Sequence, residues 1–388
     1  MRCTGLRAPA MIAATAFHAS IEESVMPTIC RAAITYGVNE PFRVEEIEVA
    51  DPGPRDVLVK MTASGICHSD LNCVEGKMPH YMPAVFGHEG FGYVAAMGDE
   101  VRGLKVGDAV MPYCVPECGA CAYCTSGRGN FCVEMPAAFN PERASPLSRG
   151  GKKVMNFTGI ATFSEYSLIR DNQILKVRQS AKPDLCCCIG CAVTTGVGAA
   201  LRTADMQPGG TAVVFGAGGV GLSCVQGCKI GGARRIIVVE TNPRKEALAR
   251  SFGATDFINP KERDVVETVI AMTGIGADYS FDCAGYPETL KAAVLCLNKG
   301  WGKAVSIGSS GTNVPLPLTF FDLAGRTLTR TLMGSARRQQ VGEYVDWFLD
   351  GKLKLDNLVS HLIKLDDINE GVAMMNRGES ARVVIEFA

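Results

Sequence analysis

Four cysteines, Cys118, Cys121, Cys124 and Cys132, stand at the spacing C-x2-C-x2-C-x7-C. Four thiolates this close in sequence can close a tetrahedral shell around one zinc, with no position left for a substrate. Such a lobe is held by metal where a hydrophobic core would be too small, and it belongs in a reducing compartment. The chain has seventeen cysteines in 388 residues. The count is odd and the clusters have metal-ligand spacing, so free thiols and zinc thiolates are favoured over a disulfide framework. A closed shell cannot activate a substrate. A second, open zinc site is therefore to be sought elsewhere.

The length suggests about two domains, since single cores stop growing near roughly 250–300 residues. Hydrophobic residues make up 47%, enough to fill both cores. The 39 basic residues balance 40 acidic ones, for a net charge of −1. That balance offers no basic surface for nucleic acid and none for an anionic membrane. No apolar run reaches the length of a membrane span. The expected location is cytoplasmic. Residues 1–25 carry Arg2 and Arg7 and no acid before Glu22. Two arginines make a poor transit peptide, so this extension is expected to be disordered or outside the fold.

From Ile29 to about Gly107 the chain reads as short strands with Gly and Pro punctuation, as in a small barrel. Phe42–Val49, Asp56–Thr62 and Gly90–Met97 are the clearest of these strands. Glu134–Lys153 is polar and rich in Pro, Arg and Gly, and reads as a long loop. The pattern then changes. Thr211–Phe215 predicts a buried strand, followed by a Gly-rich turn and a helix through Ile230. Arg235–Val239, Asp278–Asp282 and Ala304–Ile307 continue a strand–helix alternation that argues a doubly wound parallel sheet.

The turn Gly216-Ala217-Gly218-Gly219-Val220-Gly221 fits G-x-G-x-x-G, with a strand before it and a helix after it. Gly216 permits the tight turn, Gly218 lets a pyrophosphate approach the backbone, and Gly221 packs helix against strand. Gly219 and Val220 complete the cradle. Glu240, at the end of the next strand, is placed to accept hydrogen bonds from a ribose. Its charge repels a 2′-phosphate, so NAD is expected over NADP. Lys245 is a further cofactor-binding candidate; with Arg244 it is the one local feature that favours a 2′-phosphate.

Cys67, in GICHSD, and His88, in GHEG, are joined by a third soft ligand, Cys191, just before the nucleotide-binding half. Two thiolates and one imidazole leave zinc one open tetrahedral position, the pattern of a catalytic site.

These motifs carry a family resemblance. GICHSD, GHEG, the four-cysteine cluster, GC-x2-TTG, GAGGVG and the terminal GESAR together resemble the zinc-dependent medium-chain alcohol dehydrogenases, two-zinc branch, over about Met26 to Ala388. The resemblance implies an α/β fold: a Rossmann doubly wound parallel sheet plus a GroES-like β-barrel catalytic domain. The barrel domain is expected at 26–192 and 335–388, with its structural zinc lobe at 114–132, and the NAD-binding domain at 193–334. It implies two zincs per chain. Cys67, His88 and Cys191 are then catalytic zinc ligands, and Cys118, Cys121, Cys124 and Cys132 structural ones. Glu89 and Asp70 lie around the catalytic zinc. Ser69 bonds the substrate oxygen and relays its proton. His68 and Arg382 meet the cofactor pyrophosphate, and Thr195 stands beside the nicotinamide.

The implied activity is interconversion of a primary alcohol and its aldehyde with NAD, aromatic or allylic alcohols included. The enzymatic alternative is the glutathione-dependent formaldehyde dehydrogenase branch. That branch reads glutathione carboxylates with an arginine and an acid where this chain has Pro136 and Met78. Free alcohols are therefore expected ahead of glutathione adducts. A non-catalytic zinc- and nucleotide-binding protein, structural or redox-sensing, is expected to have lost a ligand or Ser69, and none is lost. Asn72 replaces a histidine that ends the proton relay in many relatives. The expected assembly is a homodimer. His80 is expected to be a surface-loop residue, and Arg337 and Arg338 a solvated helix end.

Overall fold

The computed structural model describes residues 27–135, 140, 143–308, 311 and 315–388. The N-terminal extension and Pro136 lie outside the described residues. Three sheets organise the chain. In the first, Thr28–Thr35, Arg43–Val49, Leu147–Arg149, Lys152–Asn156 and Ala84–Val85 close into a small barrel. Two of these strands lie where the polar sequence over Glu134–Lys153 predicts loop. Gly150 and Gly151 take φ of 55° and 71°, the left-handed geometry of a two-residue hairpin turn. Leu147 plugs the barrel core. A Gly pair inside a polar run thus marks a hairpin rather than an open loop.

The second sheet runs Ile174–Lys176, Ala109–Pro112, Glu89–Met97, Asp56–Gly65, Val383–Glu386 and His361–Lys364, with Tyr166–Arg170 also paired to Asp56–Gly65. Val57, Val59, Met61 and Ala63 alternate into the core on its central strand, the period-two burial of a pleated strand. The chain's last strand pairs with Ala63–Gly65, so it lies beside the GICHSD segment.

The third sheet is parallel throughout, ordered Asp256–Ile258, Arg235–Val239, Thr211–Phe215, Tyr279–Asp282, Lys303–Ser306 and Thr327–Arg330. By chain appearance that is third, second, first, fourth, fifth, sixth, the doubly wound order whose switch point takes a dinucleotide. Helices Gly219–Ile230, Glu246–Phe252, Val265–Thr273 and Pro287–Leu295 connect its strands. The Asp264 side chain caps the third of these, accepting from Glu267 N–H at 2.8 Å.

One element joins the sheets. Pro183–Cys186 and Cys187–Gly190 lead into helix Ala192–Gly198, which continues in π geometry to Thr203. It packs on helix Gly219–Ile230 at very close range: a Cβ on Gly196 would stand 2.3 Å from the Val220 carbonyl oxygen. Cys186, Cys187 and Cys188 are buried here as core thiols. Among the described residues there is no disulfide, and no single helix is long and apolar enough to cross a membrane.

Candidate active site

The GICHSD segment ends a strand and starts helix His68–Val74. Asp70 Oδ2 accepts from the Cys67 N–H at 3.1 Å, closing the first turn. In GHEG, Gly87 has φ of 92°, and a Cβ there would meet Phe163 Cδ1 at 2.5 Å. Only glycine makes that turn, and it sets His88 inward at the head of strand Glu89–Met97. Cys191 stands at the break between two helical segments. The donor atoms of Cys67, His88, Glu89 and Cys191 all lie within 4.8 Å of one another, and all four residues are buried.

His88 is held from behind. Its Nδ1 meets Asp70 Oδ1 at 2.9 Å, and its Nε2 faces Cys191 Sγ at 3.3 Å. Asp70 Oδ1 also accepts from Gly87 N–H at 3.1 Å. A carboxylate on the outer ring nitrogen fixes the tautomer that presents Nε2 to a metal. Burial disfavours the imidazolium, yet the charges of Asp70 and Cys67 outweigh it and hold His88 well above its ordinary value. The Cys191 thiol, hydrogen-bonded to Cys67, lowers the Cys67 value well below normal, while that bond and burial raise Cys191.

Glu89 tests whether this set fits a cation. Its carboxylate is fully buried, and neither oxygen has a hydrogen-bond partner. Arg382 Nη2 lies 3.1 Å from Glu89 Oε1 as an ion pair outside hydrogen-bond alignment. Burial raises Glu89 to about 8. Two thiols, an imidazole fixed by an acid, and an under-partnered carboxylate form a donor set that fits zinc. Gly65 makes room for it, since a Cβ there would stand 2.3 Å from Glu89 Oε2.

Ser69 Oγ accepts from the Cys67 thiol at 3.7 Å and is half-buried. His68 is exposed beside it. Thr195, one turn after Cys191, touches Met333 Sδ at 3.8 Å through Oγ1. Met333 is a residue that sequence reasoning missed. Its Sδ also lies 3.7 Å from Cys114 Sγ, so it bridges the barrel side and the nucleotide side. Met333, Gly334 and Ser335 take φ of 53°, 61° and 52° in succession, and a left-handed run of this kind leaves no periodic signal in sequence.

The Gly-rich turn lies at the sheet's switch point. Gly216 has φ of 91°. A Cβ on Gly221 would stand 1.8 Å from the Gly216 carbonyl oxygen, whereas one on Gly218 would meet open space. That open cradle fits a pyrophosphate. Arg382 passes the turn, 3.1 Å from the Cβ position of Gly219, and donates to the Ile66 carbonyl at 3.2 Å. It therefore links the turn to the donor set. Glu240 accepts from Ala217 and Asn242 N–H, each at 2.9 Å. Burial pushes its carboxylate up, but these two donors and Lys245 hold it below the usual value. Lys245 Nζ is 3.7 Å from Glu240 Oε2, so its charge is engaged by the acid it was expected to accompany.

The four-cysteine lobe is the second donor set. Its sulfurs lie within 4.8 Å of one another. Cys118, Cys121 and Cys124 N–H groups donate to Cys132, Cys118 and Cys121 sulfurs at 3.3, 3.4 and 3.5 Å. Backbone donation, from Val133 first, lowers Cys121 to about 6, while burial pushes Cys124 up to about 12. Glu117 anchors the lobe by accepting from the Arg338 backbone N–H. The Arg338 side chain donates to the carbonyls of Asp171 and Ile174 at 2.8 and 2.9 Å. This corrects the expected solvated helix end: Arg338 satisfies backbone carbonyls across the second sheet.

His80 is also corrected. It is half-buried, with its ring 5.0 Å from Phe86 and 5.3 Å from Phe157. Burial lowers it to about 4. Phe157 in turn packs on His88 at 5.6 Å. The aromatic wall beside the donor set was not legible in the sequence because its members come from separate segments.

A family profile for alcohol dehydrogenase GroES-like domains matches residues 53–179, and one for zinc-binding dehydrogenases matches residues 219–350. An S-(hydroxymethyl)glutathione dehydrogenase of Synechocystis sp. is 39% identical over 366 residues, covering 92% of this chain and 99% of that protein. The chain belongs to the zinc-dependent medium-chain alcohol dehydrogenase family. A Paracoccus denitrificans protein of the same name as the first relative is also 39% identical, over 372 residues, covering 92% of this chain and 99% of its own length. Among solved members of the family, benzyl alcohol dehydrogenase from Acinetobacter calcoaceticus superposes with a TM-score of 0.88 at 31% identity. It covers 93% of this chain and all of its own. The barrel and the parallel sheet are thus the GroES-like and Rossmann parts of this family's fold.

Proposed function

We propose that this chain oxidises a carbinol to its carbonyl, or reduces the carbonyl, by hydride exchange with NAD at a zinc held by Cys67, His88 and Cys191. The observation that carries it is the buried convergence of those donor atoms within 4.8 Å, with Asp70 behind His88. Zinc bound there supplies Lewis acidity that polarises the substrate oxygen and lowers its pKa. Nicotinamide supplies or accepts the hydride. Asp70 orients His88. Ser69 takes the substrate hydroxyl proton toward solvent, a positioned transfer worth roughly 10²–10⁴-fold. Thr195 and Met333 flank the nicotinamide face. Arg382, His68 and the Gly216–Gly221 turn hold the pyrophosphate, and Glu240 takes the ribose. Cys118, Cys121, Cys124 and Cys132 hold a structural zinc.

Metal analysis and NADH absorbance test this. Two zincs per chain and chelator-sensitive reduction of NAD by benzyl alcohol or ethanol are expected. Fewer than two zincs, or faster turnover with NADP, contradicts the corresponding part.

A second reading concerns the substrate. The Synechocystis and Paracoccus relatives are both named S-(hydroxymethyl)glutathione dehydrogenases, which supports the glutathione adduct over the free alcohols that Met78 and Pro136 favour. The adduct is itself a carbinol, so the same residues serve it. Comparing kcat/KM for S-(hydroxymethyl)glutathione and benzyl alcohol decides between them.

Homodimer formation is proposed through the parallel sheet. Thr327–Arg330 is one of its two edges among the described residues, and nearby in sequence Phe320 and Phe321 are 89% and 82% exposed. An exposed edge beside large apolar side chains supports pairing with a second copy. Light scattering after chromatography checks it.

A further inference from the structure

Residues 331–337 carry the chain from the parallel sheet's last strand, Thr327–Arg330, to helix Arg338–Leu349, which packs on Ile174–Lys176 of the second sheet. The middle of this crossover is strained. Met333, Gly334 and Ser335 are left-handed in succession, and Met333 and Ser335 carry side chains there. Residues other than glycine keep that geometry only where surrounding contacts fix it.

The contacts come from two sides. Toward the nucleotide half, Thr203 Oγ1 meets Ser335 Oγ at 2.9 Å and Thr331 Oγ1 at 2.7 Å. A Cβ on Gly198 would stand 2.4 Å from the Gly334 carbonyl oxygen, so helix and crossover touch backbone to backbone. On the other side, buried Asn130 donates from Nδ2 to the Leu332 carbonyl at 3.0 Å. The Tyr113 hydroxyl donates to the Ala336 carbonyl at 2.9 Å. Glu117 accepts from the Arg338 N–H. Asn130 lies between Cys124 and Cys132, and Glu117 directly precedes Cys118, so both belong to the four-cysteine lobe. They adjoin one another within it, because a Cβ on Gly129 would stand 2.7 Å from Glu117 Cδ. The carbonyl that Asn130 holds is that of the peptide leading into Met333, whose Sδ meets Thr195 Oγ1 and Cys114 Sγ.

We infer that Asn130 is a positioning residue through which the four-cysteine lobe fixes Met333 against the nicotinamide. This rests on the proposed binding of NAD with Met333 at the nicotinamide face. The lobe then sets cofactor affinity as well as stability.

The test is NADH affinity in the zinc-loaded enzyme, read by the fluorescence of the bound dinucleotide, beside kcat and KM for NAD with a saturating carbinol. Asn130→Ala should raise the NADH Kd and the KM for NAD about fivefold, the order of one hydrogen bond, with kcat at saturating NAD held within about threefold. Met333→Ala should raise the same Kd. Adding Asn130→Ala to it should raise the Kd by less than about twofold more, because one residue acts through the other. Should Asn130→Ala fail to fold, Tyr113→Phe, which removes only the bond to Ala336, decides by the same readings with a rise of about threefold. Unchanged Kd and KM with a lowered Tm overturn the inference, since a merely structural amide acts on stability alone. Equal fold-changes from Asn130→Ala with and without Met333→Ala also overturn it. A wild type that binds no NADH and reduces no NAD instead overturns the nucleotide reading on which the inference rests.

Discussion

The two donor sets are built in opposite ways. In the four-cysteine lobe the contacting residues lie at most 14 apart, as in the Cys118–Cys132 bond. Cys118 and Cys121 remain half-exposed. The set at Cys67, His88 and Cys191 spans 103 residues between His88 and Cys191 alone and is buried throughout. A local set closes a short loop and needs little besides its ligands. A distant set must be delivered by a strand of the second sheet, a glycine turn and a helix break that are already folded. The first is suited to hold structure, and the second to hold a site whose geometry the whole fold guarantees.

This contrast can be broken by substitution. Cys191→Ser should lower kcat/KM by more than about 10²-fold while leaving the lobe's zinc in place. Loss of both metals together would show that the two sets are not independent. Asp70→Asn keeps the shape behind His88 but removes the charge, and should cost about 10–100-fold in activity or metal affinity. An unchanged zinc dissociation rate and unchanged kcat/KM would deny Asp70 its positioning role.

Cys121→Ser should act on stability, lowering Tm by roughly 5 °C or more as the lobe loses its metal. Activity of the protein that stays folded should hold within about threefold. Lost turnover with an unshifted Tm would reverse the division of labour.

The smallest effect concerns His80. Burial holds it at about 4, against about 6.5 in an unfolded chain. Between those values only the unfolded chain takes up the proton, so His80 lowers stability as pH falls from about 6.5 toward 4. His80→Leu should therefore show a smaller drop in urea midpoint from pH 7 to pH 5 than wild type. Equal drops would mean that the ring is not buried in solution.

The nucleotide half was legible because its signals are local. Thr211–Phe215, the Gly216–Gly221 turn and Arg235–Val239 each follow from runs of apolar residues and glycines at short range, and the structure places them as expected. The segment Pro183–Thr203 was not legible. It is buried nearly all round, so it has no polar face to give a 3.6-residue period. The hairpin over Leu147–Asn156 was hidden by polar strands whose buried members are few. The wall of His80 and Phe157 was hidden because contact across segments leaves no spacing to read.

The sequence by itself determined the four-cysteine spacing, the Gly-rich turn after Thr211–Phe215 and the family that these motifs mark. Only the tertiary structure decided that Asp70 stands behind His88, that Arg382 connects Glu89 to the Gly-rich turn, and that Met333 bridges Cys114 and Thr195. The physical reason is range. Motif spacing records what neighbours along the chain must do, whereas the buried charge pairs and strained turns of the site exist only once distant strands and helices have been packed together.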